Sequence, residues 1–156
     1  MTNMVYSGIG SRESPPEILE MMTKIASKLE TLGYILRSGS AKGADSAFQR
    51  GVSDPTKMEI YRPEHATKES IEFASHYHPA WHKVKVKDRP LHGRNVFIIL
   101  GSDMELISDF VICYTPGGEY IGGTALGMRV ANKLDIPIFN LYFQTSRERL
   151  EKFLNS

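Results

Sequence analysis

Three glycine-rich segments carry the residue types best suited to holding a phosphate. In SGIGSR (Ser7–Arg12), Gly8 and Gly10 give the backbone freedom for amides to approach a ligand, Ser11 adds a hydroxyl, and Arg12 could hold an anion. In SGSAKGAD (Ser38–Asp45), Gly39, Gly43 and Lys42 precede a helical pattern, and the hydroxyls of Ser38 or Ser40 suit a phosphate or a ribose. Asp45 falls in the first helical turn, where it can accept from a ribose hydroxyl or simply stabilise the helix N-terminus. This is not a Walker A loop, because the spacing and the terminal Lys-Ser/Thr pair are absent. In TPGGEYIGGT (Thr115–Thr124), Gly117, Gly118, Gly122 and Gly123 lie between an apolar run and a helix. A purely structural loop rarely needs so many glycines. Gly122, Gly123 and Thr124 at a helix entrance make an anion site of the expected kind. A side chain at Gly123 should crowd the ligand or force the loop out of a glycine-only conformation. The first two segments also read as a plain turn and as a turn with a helix cap.

The stretch from His76 to Arg94 mixes aromatics with basic charge: Tyr77, Trp81, Lys83, Lys85, Lys87, Arg89 and Arg94. Such a mix suits single-stranded nucleic acid, or a flap that stacks on a base and neutralises a phosphate. We read Trp81 and Arg94 as flap residues and the lysines as solvated charge. His76, His78 and His82 are close enough to suggest a metal site, but no cysteine or acidic pair accompanies them, so no metal is expected.

The elements that must position these residues alternate. Met4–Gly8, Tyr34–Arg37, Met58–Tyr61, Phe110–Tyr114 and Ile136–Leu141 read as strands. Ile18, Met21, Met22, Ile25, Leu29 and Leu32 recur at helical spacing, with Ser14 as cap and Gly33 as stop. Ala44–Arg50, Ala66–Tyr77, Ala125–Leu134 and Ser146–Phe153 are the other helices. His78–His92, with prolines at 79 and 90, reads as a long loop or flap. Asn95–Leu100 fits helix or strand equally well by pattern. Unbroken apolar strands alternating with helices predict a Rossmann-like three-layer α/β fold with a mainly parallel sheet of about five strands. Ligands of such sheets bind beyond the carboxyl ends of the strands, so the three glycine segments should converge on one pocket there.

These segments carry a family resemblance. SGSAKGAD resembles the S-G-x-A-x-G-x-D loop of DprA/Smf proteins, and PGG…GGT resembles a stretched P-G-G-x-G-T-x-x-E motif of the Lonely Guy phosphoribohydrolases. Both belong to the SLOG superfamily. HPAW (His78–Trp81), Arg94-Asn95, DFVICYT (Asp109–Thr115), GGT (Gly122–Thr124) and IPIFNL (Ile136–Leu141) extend the resemblance to short, single-domain, phage-type DprA-like members. It implies a nucleotide or nucleotide-derived ligand and makes a homo-oligomer plausible. Lonely Guy enzymes have a catalytic glutamate after Gly-Thr; here Ala125, Leu126, Gly127 and Met128 follow. The leading expectation is therefore a module that binds such a ligand without turning it over. The first alternative is a nucleoside 5′-monophosphate N-glycosidase with Arg94 and Glu119 as catalytic residues, Glu13 and Asp45 being the other nearby carboxylates. The second is a DprA-like mediator that binds single-stranded DNA.

Bulk properties fit these readings. The chain has 156 residues, 41% hydrophobic and 24% charged, as expected of one domain (1–156) with a real core. A formal charge of +1 argues against a bulk polycation. No apolar run approaches the ~18 residues needed to span a bilayer. With no secretory signal and a lone cysteine, Cys113, in an apolar run, a cytoplasmic protein with a buried reduced thiol is expected. No cofactor is required by these readings beyond the nucleotide-type ligand itself.

Overall fold

A computed structural model describes residues 2–156. Five strands, β1 (Val5–Gly8), β2 (Ile35–Ser38), β3 (Met58–Ile60), β4 (Phe110–Cys113) and β5 (Ile138–Asn140), form one sheet in the order β3-β2-β1-β4-β5. Every pairing is parallel. The chain order reverses between β1 and β4, which makes the crevice beyond their carboxyl ends the natural ligand position.

Successive strand residues point to opposite faces, and the sequence fills both. Tyr6, Leu36, Phe110 and Ile112 pack under α1 (Pro16–Thr31), α2 (Ala44–Arg50) and α6 (Gln144–Leu154). Val111 and Cys113 pack under α3 (Lys68–Ser75), α4 (Arg89–Leu100) and α5 (Thr124–Lys133). The result is the three-layer fold expected from the alternating pattern. Among the described residues no helix is long and apolar enough to cross a membrane.

Two polar side chains interrupt the second face and fix α4. Ser7 and Arg37 are register partners on β1 and β2. The Ser7 hydroxyl donates to the Ile98 carbonyl at 2.6 Å, and Arg37 Nη1 donates to the Leu106 carbonyl at 2.6 Å. Arg37 is 2% exposed, so it needs partners; Glu59 supplies the ion pair at 3.2 Å. Arg37 Nη1 also reaches the Ile99 carbonyl in the last turn of α4 at 3.5 Å, where a cation complements the helix dipole.

Several local expectations change. The ambiguous Asn95–Leu100 run is the C-terminal half of α4, which begins at Arg89 with Pro90 in its first turn. A proline there loses no helical hydrogen bond, so it starts the helix instead of breaking it. The rest of the expected flap contains two short 3₁₀ turns, Trp81–Lys83 and Val86–Asp88. Ser14 does not cap α1: Pro15 occupies that position, and the Ser14 hydroxyl donates to the Ser11 carbonyl at 2.8 Å.

Candidate functional site

A cavity of about 470 Å³ opens at the carboxyl ends of β1 and β4, within the ~300–1,000 Å³ typical of small-molecule sites. All three glycine segments reach it: Gly10, Ser11 and Arg12 from the first, Asp45 from the second, and Gly122, Gly123 and Thr124 from the third. The convergence expected from the sequence is therefore present. One face of α4, carrying Leu91, Arg94, Asn95 and Ile98 at helical spacing, forms another wall.

Each wall has a local cause. The chain leaving β1 keeps bonding along β4, through Ile9 N to Ile112 O at 3.1 Å and Ser11 N to Tyr114 O at 3.0 Å. That ladder lays Gly10 in the crevice against Ala44 and turns Arg12 outward over the mouth. The second loop dips at Gly39 between two charged groups. A side-chain carbon there would lie 2.7 Å from Asp45 Oδ2 and 2.9 Å from Arg94 Nη1, so any larger residue would have to displace one of these charged groups.

Asp45 and Arg94 are the chemical centre of the cavity. They are only 6% and 5% exposed, yet no direct salt bridge joins them. Asp45 Oδ2 accepts from the Ala41 amide at 3.1 Å. Arg94 Nη1 donates to the Tyr61 carbonyl at 2.9 Å and Nε to Asn95 Oδ1 at 2.8 Å. The Ser38 side chain also stands close enough to Asp45 to favour its charged form, and among the described residues Arg94 Nη2 makes no hydrogen bond of its own. Burial pushes the Asp45 carboxyl up to about 6, and the Ala41 amide and the Arg94 cation offset this only in part. Burial also lowers the Arg94 pKa, against the opposing pull of Asp45. Each group thus sits where its charge is costly, which is the usual condition of residues kept for binding or catalysis.

The third segment divides in two. Its first half forms a 3₁₀ turn, Pro116–Gly118, in which Pro116 lines the cavity while Gly117 and Gly118 do not, and Phe143 covers the Gly118 Cα. Its second half opens into the cavity as the N-terminus of α5, which has no side-chain cap. First-turn amides of such a helix lack intrahelical partners and present positive potential. Gly122 holds φ +70°, while Gly123 has ordinary helical angles, φ −66° and ψ −26°. The expectation that Gly123 needs a glycine-only conformation is therefore corrected; that requirement belongs to Gly122. Neither position has an atom within 4 Å of an added Cβ.

Other sequence candidates lie outside the cavity lining. Gly8 packs against Phe48, and the Ser38 hydroxyl gives its proton to the Gly8 carbonyl at 2.6 Å, so it serves the sheet. Gly43 packs on the Arg12 backbone, Lys42 is exposed, and exposed Ser40 accepts from Arg94 Nη1 at 3.4 Å. Thr115 is bonded through its hydroxyl to Asn140 at 2.8 Å. Glu119 is exposed, with its side chain toward Gly117. Trp81 is not a flap over the cavity: it packs against His78 and His92, with the Arg89 guanidinium 5.2 Å from its ring centre. His76 and His82 are exposed.

Leu91, Asn95 and Ile98 are cavity residues that the sequence reading did not single out as site positions. Their signal was the helical spacing with Arg94, legible once the helix is started at Pro90. Leu91 and Ile98, with Ile9, Ile121 and Gly127, give the cavity an apolar lining beside its charged groups. The chain matches no family model, no curated protein and no solved structure.

Proposed function

We propose that the chain is a SLOG-type module that binds a phosphorylated nucleoside or a nucleotide-derived ligand in this cavity. The single observation that carries the reading is the pair of buried, oppositely charged side chains, Arg94 and Asp45, which line one cavity of about 470 Å³ with no salt bridge between them. A phosphate fits the side that offers Arg94, Arg12 and the first-turn amides of α5. A ribose hydroxyl fits Asp45, which can accept its proton in a hydrogen bond. A base fits the apolar side, between Leu91, Ile98 and Ile121. Thermal unfolding against adenosine 5′-monophosphate, adenosine, ribose 5-phosphate and inorganic phosphate tests this. A ligand that binds only the native state stabilises it by about 2.7 kcal/mol at a hundredfold excess over Kd. The monophosphate should raise Tm most; no shift with any phosphorylated compound would refute the reading.

One observation favours a second reading, the nucleoside 5′-monophosphate N-glycosidase. A carboxyl with a pKa of about 6 is poised to give a proton to a departing base near neutral pH. Asp45 supports that role better than Glu119, whose side chain turns toward Gly117. Release of free base from nucleoside monophosphates, abolished in Asp45→Asn, is the result this reading requires.

A further inference from the structure

We infer that Asn95 is a positioning residue that ties the Arg94 guanidinium to the entrance of α5, so that the two halves of the anion site are held as one unit. Its consequence for affinity rests on the ligand reading above; the tie itself does not.

Asn95 stands on α4 between two groups that have no contact of their own in the bonded network. Its Oδ1 accepts from Arg94 Nε at 2.8 Å, and its Nδ2 donates to the Gly123 carbonyl at 3.2 Å. The partners fix the amide's orientation. A guanidinium nitrogen can only donate and a carbonyl can only accept, so the flipped amide would lose both bonds. The Gly123 carbonyl has a second lone pair for this bond besides the one that faces along α5.

Both ends need such a tie. Arg94 is anchored through Nη1 to the Tyr61 carbonyl and, at 3.4 Å, to Ser40 Oγ, but both bonds leave from one nitrogen and fix the plane of the fork less well than a bond at Nε does. The Nε bond to Asn95 fixes the plane of the fork and leaves Nη2 for the cavity. At the other end, the loop ahead of α5 is exposed at Ile121, Gly122 and Gly123, and no atom crowds either glycine. Among the described residues, the other side-chain bond to this loop is the long one from Arg129 Nη2 to the Tyr120 carbonyl, 3.4 Å. Arg129 does not line the cavity; Asn95 does. An anion seated between Arg94 and the α5 amides would thus find their separation already set, and preorganised donors bind better than donors that must be ordered on binding.

Two substitutions separate the two bonds. Asn95→Asp keeps an acceptor for Arg94 Nε but has no donor for the Gly123 carbonyl. Asn95→Ala loses both. In ligand-free protein, nuclear magnetic resonance should show the Arg94 Nε proton protected from exchange in wild type and Asn95→Asp, and unprotected in Asn95→Ala. The Gly122–Thr124 amides should exchange several-fold faster in both variants, with melting temperatures near wild type. Titration of wild type and Asn95→Ala with adenosine 5′-monophosphate should then show a loss of about three- to tenfold, the worth of one or two ordinary hydrogen bonds. Adenosine, lacking the phosphate, should bind the two proteins equally. Unchanged loop exchange in both variants, or Arg94 Nε protection lost as fully in Asn95→Asp as in Asn95→Ala, would overturn the inference. Failure of wild type to bind the monophosphate would count against the ligand reading, while the exchange pattern would still decide the role of Asn95.

Discussion

Gly118 and Gly123 belong to one loop and live in opposite surroundings. The Phe143 ring covers Gly118, and a side chain there would have to push that ring aside. Gly123 faces open space and has angles any residue could adopt. Gly39 resembles Gly118, since Asp45 and Arg94 close on it from both sides. Glycine at Gly39 and Gly118 is explained by the protein's own packing. At Gly123 packing explains nothing, and the residue lines the cavity. Counting glycines in a loop therefore does not separate packed positions from open ones; asking what already occupies the space beside each one does.

The strongest way to sharpen this contrast is to remove the charge that the packed loop protects. Arg94→Met should weaken adenosine 5′-monophosphate binding by about 10- to 100-fold, the worth of a charge-assisted hydrogen bond. Arg94→Lys should not restore it, because an ammonium cannot reproduce the fork that bonds Tyr61, Asn95 and the ligand together. Isothermal titration decides both.

Next comes Asp45, whose carboxyl is raised from 3.8 to about 6 by burial. A raised acid favours the folded state while protonated. Its contribution is fully present below 3.8 and is lost as pH rises through about 6. Asp45→Asn should therefore stabilise the ligand-free protein above that window, by at most about 3 kcal/mol at 1.36 kcal/mol per unit, and leave it unchanged below. Denaturant melts at pH 8 and at pH 3.5 measure the difference. Equal stability gains at both would show that charge burial is not the cause.

The glycines themselves give smaller effects of contrasting kind. Gly118→Ala must displace the Phe143 ring and hold φ +71°, so it should cost about 1–3 kcal/mol. Gly123→Ala should stay within about 0.5 kcal/mol of wild type, as for an uncrowded surface position. Similar losses at the two sites would erase the contrast. Smallest of all is the expected response of Cys113, fully buried and with its thiol pushed up to about 12. A thiol reagent should leave it unlabelled in the native protein, since the thiolate is the reactive form.

The fold was largely legible because the strands are short apolar runs bounded by glycine and proline. α4 was not, for a definite reason. Val96, Phe97, Ile98, Ile99 and Leu100 are all buried, so the run has no polar face to reveal a helical period. Misreading α4 also hid Leu91, Asn95 and Ile98 as wall residues. Within the glycine segments, the sequence located the cavity but not which groups face it. Ser38 ends a strand with its hydroxyl turned into the sheet, whereas Asp45 begins a helix with its carboxyl turned into the cavity. Only the packing of α2 against the sheet distinguishes them. Trp81 reads as a stacking flap by composition, but His78, His92 and Arg89 already occupy its ring.

If the open half of the third loop receives a phosphate at the N-terminus of α5, a negative charge introduced there must repel it. Gly123→Asp tests this most directly. The substitution places a carboxylate in uncrowded space at a helix entrance, where an acidic residue is favourable to the helix itself. Calorimetric titration with adenosine 5′-monophosphate, alongside the ligand-free melting temperature, separates binding from folding. The Tm should be unchanged or slightly raised, with binding reduced at least about tenfold. A normally folded Gly123→Asp protein that binds the monophosphate as tightly as wild type would contradict this.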